Sequence, residues 1–91
     1  MKKLNLTVGV DKRYYSEVLT SGPDGRIAFQ MKKNPSVSYD VGFLVSLDGA
    51  EFTEVDLRVV RDSHITVMDG LKPGMQVKLR TPFNVDIYAL V

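Results

Sequence analysis

The chain has no cysteine, no tryptophan, a single histidine and no long apolar run. Without cysteine there are no disulfide staples, no thiol catalysis and no zinc–thiolate site, so the hydrophobic core alone must hold the fold. No segment approaches the roughly 18 apolar residues of a membrane helix, which makes a membrane an unexpected partner. Charge of one sign is lacking too. Twelve basic against eleven acidic residues leave a net charge of +1, with no basic excess of the kind that marks nucleic-acid binding.

Met1-Lys2-Lys3 resembles the start of a secretion signal, but Asn5, Thr7 and Asp11 interrupt what should be its apolar stretch. It reads as a strand instead, and the expected location is the compartment of synthesis. The composition, 44% hydrophobic and 25% charged over 91 residues, is that of a soluble globular protein and allows one domain, residues 1–91. The apolar C-terminal stretch predicts a last strand tied into a sheet, and with it a whole gene product.

Apolar residues recur with a period of two almost throughout, which is the pattern of half-buried strands. Leu4, Leu6, Val8 and Val10 alternate with Lys3, Asn5, Thr7 and Gly9, and Ile27, Phe29 and Met31 with Ala28, Gln30 and Lys32. Val37 to Leu47 carries apolar residues at every odd position, longer than a typical strand, so a bend or a change of sheet is expected near Asp40 to Gly42. Val55, Leu57 and Val59, then Ile65 and Val67, Met75, Val77 and Leu79, and Val85 to Val91 continue the alternation. Turn signals punctuate it at Thr20 to Gly25, at Lys32 to Ser36, at Asp48-Gly49 and at Lys72-Pro73-Gly74, the last fitting a type II turn. About eight short strands roughly ten residues apart, with no helical period, predict an all-β fold: a single small antiparallel β-sandwich, Greek-key or jelly-roll-like.

The hairpin Phe43 to Val55 carries a conflict of parity. A tight two-residue turn at Asp48-Gly49 would turn Phe52 inward, whereas the alternation of Thr53, Val55, Leu57 and Val59 requires Leu47 opposite Glu51. Alternation is the stronger constraint, because a slip by one residue exposes a whole core face. A three-residue loop or a bulge at Ala50 reconciles the two, pairing Phe43 with Val55, Val41 with Leu57 and Tyr39 with Val59. Leu44, Phe52 and Val60 then fall on the outer face, as an apolar patch for a partner or a surface covered by the chain's own loops.

No constellation supports catalysis. Asp62, Ser63 and His64 have the residue types of a hydrolytic triad, but neighbouring strand positions point to opposite faces. Asp48, Glu51, Glu54 and Asp56 gather negative charge around one hairpin, with Asp48 and Glu51 the candidates if a cation were held, yet the order of ligands is not that of a calcium loop. A solvated rim explains them better, so neither metal nor cofactor is expected. Lys32, Lys33, Lys78 and Arg80 suit edge protection against strand pairing. Tyr14 and Tyr15 present a ring to each face of one strand, leaving one available as an aromatic anchor.

The succession SLDGAEFTEV followed by GLKPGMQVKLRTPFNVDIYALV resembles small β-sandwich proteins of tailed bacteriophage particles, in which a strand ends in an Asp-Gly turn and a late Pro-Gly turn feeds the C-terminal strand. The resemblance implies a non-enzymatic virion component, decorating the capsid or completing the head–tail junction, assembled in the host cytoplasm and contacting copies of itself or a virion neighbour. For such a role the contact candidates are Leu44, Phe52 and Val60, with Tyr14 or Tyr15 as anchor and Asp24 and Arg26 as polar rim. The Asp-Gly hairpin followed by Phe52-Thr53 is also similar to discoidin-like sugar-binding modules. The alternative it implies is a carbohydrate-binding module using the tyrosines and the Asp48 hairpin.

Overall fold

The structure, a computed structural model, describes residues 1–32, 38–60 and 65–90. Every regular element among them is a strand: β1 (Lys2–Lys3), β2 (Leu6–Val8), β3 (Tyr14–Ser16), β4 (Leu19–Thr20), β5 (Ile27–Lys32), β6 (Tyr39–Ser46), β7 (Thr53–Val60), β8 (Ile65–Met68), β9 (Gln76–Thr81) and β10 (Asp86–Leu90). No helix long and apolar enough to cross a membrane occurs among them. The strands form two antiparallel sheets, one ordered β1-β10-β5-β8 and the other β2-β3-β9-β6-β7, with β4 also pairing β9. The expected β-sandwich is present.

Its core lies between the sheets. Ile27, Phe29, Met31, Ile87 and Ala89 from the four-stranded sheet face Val41, Phe43, Val45, Val77 and Leu79 from the other. The rings of Phe29 and Phe43 meet edge to face, with centroids 5.8 Å apart, joining the two sheets at their centre. The Lys72–Met75 turn closes as expected, with a 3.1 Å bond from the Met75 N–H to the Lys72 carbonyl and Gly74 at a φ of 89°.

Three strand expectations are corrected. The change of sheet occurs at the N-terminus rather than in β6: the Leu4 N–H donates to the Ile87 carbonyl in one sheet, while the Asn5 carbonyl accepts from Glu17 beside the other. Leu4 is therefore buried, but Val8 and Val10 are exposed. Strand β6 runs unbroken from Tyr39 to Ser46 within one sheet.

The second correction concerns β7. Leu44 pairs with Glu54 and Val45 with Thr53, in the longer-loop register that alternation demands. Beyond these pairs the register shifts, so that Phe43 lies opposite Asp56, Val41 opposite Arg58 and Tyr39 opposite Val60. Val55 is thus the extra residue of a β-bulge, placed in the strand and not at Ala50. One residue of shift inverts the remainder of β7. Val60 enters the core at 1% exposure, while Leu57 and Val59 face solvent at 51% and 64%.

The third is β8. Ile27 pairs with Met68 and Phe29 with Thr66, and residues directly opposite share a face. With Ile27 and Phe29 in the core, Met68 and Thr66 follow them, and Ile65 and Val67 point outward.

Candidate interaction site

The seven contact candidates do not form one patch. Leu44 is buried on the outer side of the six-stranded sheet, paired with Glu54 on one side and Lys78 on the other. Phe52 is half-buried, with the Lys78 ammonium 4.4 Å from its ring centroid. The same ammonium lies 5.3 Å from the Tyr15 ring, so one cation is held between two aromatic faces. Val60 belongs to the core and offers no outer contact.

Tyr15 is engaged at both ends. Its hydroxyl donates to Asp11 Oδ2 at 2.7 Å, and its ring is shared with Lys78. Tyr14 pairs with buried Thr81 and is itself half-buried. Neither ring is the open platform that a sugar module requires. Asp24 and Arg26 are exposed, in the loop whose Gly25 carbonyl accepts from the Leu71 N–H at 3.1 Å, and the Asp24 carboxylate takes the Arg26 N–H.

The acidic hairpin is occupied by its own structure. Asp48 Oδ1 accepts from the Ser46 hydroxyl and the Ala50 N–H, both at 2.9 Å, and from the Glu51 N–H at 3.3 Å. These bonds, the Ala50 N–H first, lower the Asp48 pKa by favouring its charged form. Glu54 pairs with Arg80, and Asp56 with Arg58 at 2.6 Å. Among the described residues no group of His, Asp or Glu has the arrangement of a metal site. Asp62, Ser63, His64 and Lys33 lie outside the described residues.

Arg58 performs a task that the alternation did not predict. It points inward from the edge strand β7, lies 5.3 Å above the Phe43 ring and donates to Thr66 Oγ1 on β8. Because β7 and β8 are edge strands of opposite sheets, this side chain joins the two sheets at that margin. Together with the bulge at Val55 and the inward Asp56, it guards the β7 edge against pairing with another strand.

The apolar surface lies elsewhere. On the outer face of the four-stranded sheet, Leu90, Ala28 and Val67 stand in register across β10, β5 and β8, and continuing the β1 register by one residue adds Met1 beside Leu90. Met1, Leu90 and Val67 are 69%, 58% and 48% exposed, and neighbouring Ile65 63%. A shallow cavity of about 190 Å³ opens among Met1, Ala28, Ile65 and Leu90. The next positions on this face are amphipathic and then charged, with Lys32 over the Tyr88 ring and Lys3 paired with Asp86 at 3.4 Å. The alternation alone does not reveal this row, because it puts Ile65 and Val67 on a core face; the pairing of β8 with β5 is the signal that turns those two outward, beside Ala28 and Leu90.

Comparison with protein-family models, with curated proteins and with solved structures finds no match to this chain.

Proposed function

We propose that the chain is a non-catalytic assembly protein, a subunit that works by binding copies of itself or another protein surface, in the setting of a phage virion as capsid decoration or head–tail component. The observation that carries this reading is the row Met1, Leu90, Ala28 and Val67, which crosses all four strands of one sheet on the side away from the core. Exposing large apolar side chains costs about 25 cal/mol per Å², and contiguous patches are characteristic of surfaces that a partner covers. The charged residues Lys3, Asp86 and Lys32 at the far end of the same face give it the apolar centre and polar border of a protein interface. The virion setting comes from the resemblance of the Asp48 hairpin and the C-terminal quarter to phage sandwich proteins.

The test is the solution mass of the purified chain over a range of concentration, together with co-sedimentation with tailed-phage capsids, for the wild type and for Val67→Lys with Leu90→Lys. The expected result is association by the wild type that the double variant loses while keeping its β-type circular dichroism. A wild type that stays monomeric and does not co-sediment, or a double variant that associates as well as the wild type, removes the reading.

A further inference from the structure

The outer face of the six-stranded sheet holds two pairs of opposite charge, each spanning an intervening strand, and they behave differently. Arg80 on β9 lies opposite Gly42 on β6, while Glu54 on β7 lies opposite Leu44 and reaches back, so that the two side chains close into an ion pair over the glycine. Two residues along, continuing the registers of β3 with β9 and of β6 with β9 places Arg13 and Asp40 on either side of Pro82. That spacing is two inter-strand distances, roughly 9–10 Å between backbones. Here a pyrrolidine ring stands where the other pair has bare backbone, and no ion pair forms.

Neither charge closes a substitute ion pair, although Arg13 is near enough to Asp11 to help hold that carboxylate charged. Asp40 has Val59 as its neighbour on β7, and neither Asp40 nor Arg13 has an ion-pair partner among the described residues. Between them is an open cavity of about 300 Å³ lined by Arg13, Ser38, Tyr39, Asp40, Pro82 and Phe83. Its apolar side is the Phe83 ring, which is 41% exposed. The ring is held from behind: Tyr39 meets it edge to face at 5.8 Å and 82°, and the Thr81 hydroxyl donates to the Phe83 carbonyl at 2.8 Å. An exposed aromatic already fixed by proline, a hydrogen bond and a neighbouring ring loses little freedom when something stacks on it.

We propose that this cavity binds a neutral pyranose sugar. A sugar hydroxyl both donates and accepts, so adjacent hydroxyls satisfy the acceptor-only Asp40 and the donor-only Arg13 at once, while the C–H face of the ring lies on Phe83. The site is distinct from the apolar row on the opposite sheet and does not depend on the assembly role. Its shallow shape sets the dissociation constant on the order of millimolar.

The experiment is an amide and arginine-side-chain NMR titration of the full chain with methyl glycosides of glucose, galactose, mannose and N-acetylglucosamine, with glycine as a zwitterionic control. One glycoside is expected to give saturable shifts at Arg13, Asp40 and Phe83. In Phe83→Ala the affinity falls about tenfold, and in Asp40→Asn by a similar factor, both variants keeping the dispersed spectrum of the folded chain. No saturable shift with any glycoside, equal binding by Phe83→Ala and Asp40→Asn, or saturation by glycine alone would overturn the proposal.

Discussion

The Arg80 guanidinium and the Glu54 carboxylate meet across Gly42, where a Cβ would stand 2.7 Å from Glu54 Oε1 and 2.9 Å from Arg80 Nη2. Gly→Ala in a strand ordinarily gains roughly 0.5–1 kcal/mol, and a partly exposed ion pair contributes about the same. Gly42→Ala is therefore expected to change the urea-denaturation free energy by less than about 1 kcal/mol while uncoupling the pair. A double-mutant cycle on Arg80 and Glu54 checks it: coupling of about 0.5–1 kcal/mol in the parent, weaker at high salt, and close to zero in the Gly42→Ala background.

Gly25→Ala has no such compensation. Its φ is +67°, and a Cβ there would collide with the Leu71 backbone carbonyl, which cannot swing aside as a side chain can. The collision would also strain the bond from the Leu71 N–H to the Gly25 carbonyl. Thermal or urea denaturation should show a loss of at least about 2 kcal/mol. A loss no larger than that of Gly42→Ala would contradict the docking of this loop on Leu71.

Val59 and Val60 are adjacent, and the bulge at Val55 gives them opposite fates. Val60→Ala removes two buried methyl groups and leaves a cavity, for an expected cost of roughly 1–3 kcal/mol. Val59→Ala alters an exposed side chain and should stay within about 0.5 kcal/mol of wild type. The unshifted register, in which Val59 faces the core, predicts the reverse order, so two denaturation curves decide between them.

The same bulge marks where the fold ceases to be legible in the sequence. In β5, β9 and β10 the alternation predicted the buried face residue by residue, because both neighbours of each strand impose one parity. Strands β7 and β8 are edges, and an edge strand can expose Leu57, Val59, Ile65 and Val67 while its polar residues turn inward to close the margin, as Arg58 does onto Thr66. No glycine or proline announces the extra residue at Val55. The cavity beside Phe83 was hidden for another reason: Arg13, Asp40 and Pro82 become neighbours only through the order β3-β9-β6, which no local period encodes. Asp48-Gly49 signals a hairpin turn, but the role of its carboxylate, accepting three hydrogen bonds, depends on the loop's path.

Tyr15 and Asp11 form the pair whose titration reports directly on the structure. The hydroxyl donates to Asp11 Oδ2 at 2.7 Å, and this bond raises the Tyr15 pKa above its ordinary 10.0, with burial adding to the effect. The same bond, followed by the Arg13 N–H, lowers the Asp11 pKa below 3.8. The two signs act at opposite ends of the pH range. Tyr15 is raised in the folded state, so its contribution is complete below pH 10 and is lost as pH climbs through the folded value. Asp11 is lowered, so its contribution is complete above the unfolded carboxylate range and is lost as pH falls through the folded value. Titration followed at the assigned Tyr15 ring resonances should therefore show it ionising later than an ordinary phenol, and Asp11→Asn should bring it back toward 10 by replacing the charged acceptor with a neutral one. Tyr15→Phe should remove that late step and move the Asp11 carboxyl resonance upward in pH. A Tyr15 ring that ionises like an ordinary phenol, or an Asp11 carboxyl unmoved by Tyr15→Phe, would contradict the loop geometry from Gly9 to Arg13.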